Sequence, residues 1–296
     1  MKKSVKIIGI VVCVAIIAAA VVGVASHAVR VEDGRRIRKA FNEYAERVVR
    51  LRASGEFEDS DDDPALSDWF TAPEGFLPVK DGNVYKSVIN PYDTPEEWDL
   101  LEDAIEMREV SQLPETARNA TTAELVLYCM NYNLFIDFML FDTMQDGMEN
   151  IRSDYNGIRE LMTRPDAAES LIRLYKLYDL DEQKARDSVG CIRLCYLEAM
   201  LCMPEILNSL TAKQAKELAA ACAQKISKIV NDENSPYSVS TTMYLAAVSQ
   251  YAASEEFAEI VNASSGAKRY IEEGILVPDE ISDDTLGRIV SYFQEL

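Results

Sequence analysis

The sequence predicts an all-α protein, an irregular multi-helix array or superhelix behind an N-terminal transmembrane helix, with one extended, loop-rich wrap. Three observations predict it. Residues Ile7 to Ser26 form a run of twenty without one charge, long enough to cross a bilayer. From Thr94 onward apolar side chains recur at three- and four-residue spacing, punctuated by helix caps and not by the alternation of strands. Residues 69–93 instead carry three prolines and two glycines with aromatics between them, which suits a wrap pinned to a helical body.

Twenty helical residues at about 1.5 Å each span about 30 Å, the thickness of the hydrocarbon core. Ile7, Val11, Val14, Ile17, Val21 and Val24 are the expected anchor positions, and the lipid bilayer is the first expected partner. Val24-Ala25-Ser26 and Ser26-His27-Ala28 are small-residue sites at which the segment, read as a signal peptide, would be cleaved. Lys2, Lys3 and Lys6 precede the run, whereas Arg30, Arg35, Arg36, Arg38 and Lys39 follow it. Counting positives alone puts the body in the cytoplasm. The basic start before a first apolar run reads as export, and a single-pass protein with an extracytoplasmic body is the expectation.

The chain divides into an anchor or signal peptide (1–28), a basic juxtamembrane helix (29–54), an acidic linker (55–68) and an α-helical domain (69–296). Ile37, Phe41, Tyr44, Val48 and Leu51 alternate spacings of four and three, a heptad seam on a helix whose other face holds Arg47, Arg50 and Arg52. Two heptads are too few for an independent coiled coil, so this helix is expected to pack on the body or on lipid. In the linker Asp59, Asp61 and Asp63 match the first ligands of a calcium loop, but Pro64 and Phe70 stand where glycine and glutamate are required, which leaves a solvated charge run.

Thr94, Pro95 and Glu97 make a helix start that runs to about Val110. Leu113-Pro114-Glu115-Thr116-Ala117 imitates a cell-wall sorting signal, but Ala117 replaces the required glycine and about 180 helix-forming residues follow. Thr121 to Met162 is the richest apolar stretch and is expected to nucleate the core. Asn131, Asn133 and Asp137 interrupt it, and an aspartate at a span's centre costs about 3 kcal/mol, so it reads as a buried helix pair broken near Asn133. Short helices at 142–152 and 155–163, hinged at 154–157, come next. Longer ones are predicted over 165–178, 181–203, 212–230, 240–253, 255–263 and 282–294, with a turn at Gly266 and a short strand or turn at 269–277.

Composition excludes several chemistries. Residues 1–54 carry eleven Lys and Arg against four Asp and Glu; the remainder carry 19 against 46, a net charge of −27. Such a body repels phosphate backbones, and no nucleic-acid partner is expected. The one histidine is His27, which removes histidine triads, Cys-His dyads and histidine-rich zinc sites. Cys191, Cys195 and Cys202 share a helical face but read as core packing. No phosphate loop or dinucleotide fingerprint appears, and no cofactor or metal is expected. The body's tyrosines, Tyr175, Tyr178 and Tyr196 among them, are expected to pack with their hydroxyls at the rim. Two carboxylates suffice for glycan hydrolysis, and among 50 acids no pair stands out.

Leu113-Pro114, Thr122, Leu125, Cys129, Asn131, Tyr132, Gly147, Tyr155-Asn156-Gly157, Glu160-Leu161, Arg164 and Asp166-Ala167 form a pattern. It resembles one in uncharacterised exported, membrane-anchored helical proteins of gut bacteria and spans about residues 110–180. The resemblance implies export and an envelope location, with no activity to transfer. The expected function is a membrane-anchored extracytoplasmic binding module for a protein or envelope polymer. The alternatives are a carboxylate-dependent hydrolase of cell-wall or glycan polymers and a membrane-tethered cytosolic scaffold.

Overall fold

The computed structural model describes residues 70, 72, 73, 75–77, 104–113, 117, 119–182, 190–232, 235–274 and 280–296. The predicted anchor positions Ile7 to Val24, the basic segment 29–54, the linker and the Thr94 cap lie outside these residues. Every regular element among the described residues is a helix. They are α1 (Ala104–Val110), α2 (Thr122–Met130), a 3-10 helix (Phe135–Leu140), α3 (Met144–Asp154), α4 (Asn156–Met162), α5 (Ala167–Leu177), α6 (Gly190–Leu201), α7 (Pro204–Ser209), α8 (Ala212–Asn231), α9 (Val239–Ala253), α10 (Glu255–Asn262), α11 (Ser265–Glu273) and α12 (Asp283–Glu295). No described helix is long and apolar enough to cross a membrane.

Side-chain caps set most helix starts. Thr121 and Glu124 form a reciprocal capping box on α2, and Thr211 and Gln214 do the same on α8. Thr143, Ser254, Ser264 and Ser282 each accept a backbone N–H three residues on, opening α3, α10, α11 and α12. Pro204 occupies the first turn of α7, where its missing N–H costs nothing.

The central helix is α6. Ten of its twelve residues are buried, and it packs against α2, α3, the 3-10 helix, α5, α7 and α9. A helix apolar on all sides belongs in the interior. α9 is the second such helix, and α8 packs along it with Ala215, Leu218, Cys222, Ile226 and Ile229 buried, the seam the spacing predicts. One apolar core runs from Phe70 to Phe293. The stretch Thr121 to Met162 supplies a large share of that core, with Leu125, Val126, Cys129, Met130, Ile158 and Leu161 fully buried. The second helix of the expected pair, after the break near Asn133, is a 3-10 helix in which only Phe135 and Phe138 are buried.

Tyr155 is the single extended residue between α3 and α4, so Tyr155-Asn156-Gly157 forms the tight corner expected of it. Gly266 is not a turn. It lies inside α11, and a side chain there would run into the backbone of Glu280. That close approach explains the glycine, while Gly274 at φ 68° is the residue that ends the helix. The strand or turn expected at 269–277 is therefore helix as far as Glu273.

Candidate functional site

Three places in the described body concentrate chemistry. The first is inside the core. Glu198 of α6 is 0% exposed. Its Oε1 accepts hydrogen bonds from the hydroxyls of Tyr175 (2.8 Å) and Thr242 (2.6 Å), and its Oε2 accepts one from Thr241. Burial raises its pKa above the ordinary carboxylate range, and the three donated bonds and the Lys225 charge oppose that rise. Lys225 of α8 is 6% exposed. It donates to the carbonyl of Tyr178 and lies 4.8 Å from the centre of the Tyr175 ring. Burial brings its pKa down to about 8, while the charge of Glu198 resists.

This cluster ties α5, α6, α8 and α9 together, and it has the groups of an acid–base site without a way in. A general acid or base has to come within hydrogen-bond reach of its substrate. Glu198 spends its lone pairs on fixed hydroxyls and shows no surface. The tyrosines depart from expectation here. Tyr175 and Tyr178 point their hydroxyls inward, onto Glu198 and the carbonyl of Gly190. A buried carboxylate needs donors of that kind, which draws the rings inside. The thiols of Cys195, Cys202 and Cys222 surround the same centre, and burial raises all three far above the thiolate range, leaving them inert. Among the described residues no group of acids, cysteines or histidine is arranged to hold a metal.

The second place is the corner between α1, α3 and α4. Arg108 Nε lies 3.0 Å from Asp154 Oδ2. Gln112 donates to the Asp154 carbonyl (2.7 Å), and Asn156 Oδ1 accepts the N–H of Leu113 (2.6 Å). Asp137 is half-buried beside them; burial raises its pKa, with Arg108 opposing and Asp154 adding to the rise. Tyr132 stacks on Tyr155 at 4.2 Å. The Tyr196 hydroxyl is sealed below with no partner among the described residues.

Several residues of the sequence pattern over 110–180 that the structure describes hold neighbouring segments together. Thr122 donates to Asp166 (2.6 Å), and Asn131 bonds both the N–H and the carbonyl of Phe70 (2.8 and 3.1 Å). Gly147 lets the 3-10 helix rest on α3 at the Phe138 carbonyl, Gly157 leaves room for the Tyr155 ring, and Glu160 pairs with Arg164 (2.8 Å).

The third place is the surface edge made by the 3-10 helix. Leu140 is 78% exposed and the adjacent Phe141 41%, with Ile136, Met139 and Met144 partly buried beside them. Residues three apart eclipse in a 3-10 helix, so Asp137 sits directly over Leu140. Asp142, Asp146 and Glu149, the acids that follow in the chain, are exposed as well, and Glu149 pairs with Arg152 (3.6 Å). Between Asn131 and Ile151 there is no lysine, arginine or histidine. Sequence reading assigned these side chains to the core, because a run of eleven large apolar residues in seventeen carries no mark of which two remain outside.

No protein-family model matches the chain, and neither the curated proteins nor the solved structures compared with it give a match.

Proposed function

We propose that the chain is a membrane-anchored, extracytoplasmic helical interaction module of a bacterial envelope, an irregular helical array behind a transmembrane helix. Its docking edge is Leu140–Phe141. The observation that carries this is two adjacent large apolar side chains left in water in a stretch whose charged residues are all acids, while the body's best acid–base cluster is sealed. Isolated exposed apolar residues are ordinary, but an adjacent pair with a polar rim is the anatomy of an interface centre. The predicted anchor at Ile7 to Val24 and the resemblance to exported proteins support the location.

Two measurements test it. Protease added to intact cells is expected to digest the body; protection until lysis places the body in the cytoplasm and replaces this reading with the tethered scaffold. In native membranes the chain is expected to migrate in a complex larger than its monomer, and L140D/F141D is expected to collapse that complex. Unchanged migration overturns the docking edge.

A second reading is favoured by Asp137, whose raised pKa beside Asp154 suits the acid of a carboxylate pair. Reproducible cleavage of cell-wall or glycan polymers by the protein, lost in D137N, would put the hydrolase in place of the interaction module.

A further inference from the structure

We infer that a second copy of this chain docks head-to-tail on the Leu140–Phe141 edge, through the basic face made by α5 and α8. The inference rests on the interaction reading above and names the partner of that edge.

Positive charge is scarce in the body and collected in one place. Residues 55–296 carry 19 Lys and Arg against 46 Asp and Glu. Among the described helices two have more bases than acids: α5, with Arg173 and Lys176 against Glu169, and α8, with Lys213, Lys216, Lys225 and Lys228 against Glu217. These two helices pack on each other. Lys225 is buried, and Lys228 is met by Asp179 and Asp181 (3.0 and 3.3 Å), which leaves the surplus at the first turns of α8. There Lys176 and Lys213 share the single carboxylate of Glu217 (2.9 and 3.9 Å), and the exposed Lys216 has no ion-pair partner among the described residues. The amino end of α8 adds its own partial positive charge. Leu177, 37% exposed beside Lys176, and Ala220, exposed one turn after Lys216, are apolar groups open to water on the same two helices.

The edge has the opposite charge. Leu140 and Phe141 stand in water, Asp142 follows them directly, and Asp146 lies in the first turn of α3. Both aspartates are exposed and without an ion pair among the described residues. The two surfaces belong to separate elements joined through α6, against which α5, the 3-10 helix and α3 all pack. Each copy therefore offers one acidic apolar edge and one basic face.

That division selects the mode of contact. Two edges brought together would set Asp142 and Asp146 against their own copies, whereas an edge laid on a basic face sets apolar groups together and carboxylates against ammonium groups. An anionic lipid surface would suit the basic face but would meet the edge charge against like charge.

The test uses full chains carrying two different tags, co-expressed and recovered from native membranes through one tag. Wild type is expected to capture wild type. L140D/F141D and K213E/K216E are each expected to lose capture of their own kind by at least about tenfold. The two variants are expected to capture each other, since one keeps its basic face and the other its edge, and that rescue also shows both to be folded. Self-capture that survives in K213E/K216E is the mark of an edge-to-edge pair and overturns the inference. Self-capture that survives in L140D/F141D overturns it as well, as does a crossed pair that fails while both variants melt with the wild type. The interaction reading fails separately. If wild type captures no second copy but L140D/F141D still collapses a larger complex, the edge stands and its occupant is another protein; if there is no complex to collapse, both are lost.

Discussion

At the scale of single residues the body is governed by Glu198. A carboxylate with no exposed surface is tolerable because Tyr175, Thr241 and Thr242 donate to it and Lys225 supplies a compensating charge. E198A leaves three hydroxyls without an acceptor and Lys225 without its counter-charge, and chemical denaturation is expected to show a loss of about 3–5 kcal/mol. E198Q keeps an acceptor and is expected to cost far less. Lys225 and the buried thiols pull the pH dependence in opposite directions. The Lys225 pKa is depressed to about 8 in the fold, so above pH 8 the unfolded chain binds the proton that the folded chain has released, which raises stability with pH. Burial raises the thiols of Cys129, Cys195, Cys202 and Cys222, so the unfolded chain loses their protons first, which lowers stability, and four thiols outweigh one ammonium between pH 8 and pH 10. Stability is expected to fall over that window, and to fall more steeply in K225M by about 2 kcal/mol; equal slopes in the two proteins would remove Lys225 from the balance. The Tyr196 hydroxyl is sealed without a partner, so Y196F is expected to leave stability unchanged or raise it by up to about 1 kcal/mol. A loss larger than that would show that the hydroxyl is bonded after all.

At the scale of elements, glycine separates packing from punctuation. A side chain at Gly147 would overlap the Phe138 carbonyl where the 3-10 helix lies on α3. G147A is expected to destabilise by about 3 kcal/mol, since backbone and not a flexible side chain must move. Gly287 stands in α12 with open space around its missing side chain, and G287A is expected to stabilise by up to about 1 kcal/mol through helix propensity alone. Thermal melts of the two variants should move in opposite directions. The elements themselves were legible wherever a cap and a seam coincided. Thr211 and the Ala215-to-Ile229 seam locate α8 within a residue at either end, and Ser282 locates α12. Gly266 misled because a glycine demanded by a neighbouring backbone looks, in sequence, like one demanded by a turn.

For the whole molecule, the surface edge and the core make separable predictions. L140D/F141D is expected to leave the melting temperature within about 2 °C of the wild type, since both side chains already stand in water and surface substitutions cost little, while abolishing the complex in native membranes. A large drop in melting temperature would return these residues to the core, where sequence reading put them. The sequence by itself determined the helical class, most helix boundaries and the absence of histidine chemistry, because periodicity, caps and composition act over a few residues or none. It also holds the charge division between residues 1–54 and the acidic remainder. Only the tertiary structure decided that α6 packs against six other elements. It alone showed that Glu198 and Lys225 lie in one buried cluster around Tyr175 and that Leu140 and Phe141 face water. Each of these depends on which surfaces are brought together by residues tens of positions apart, and no local pattern records that choice.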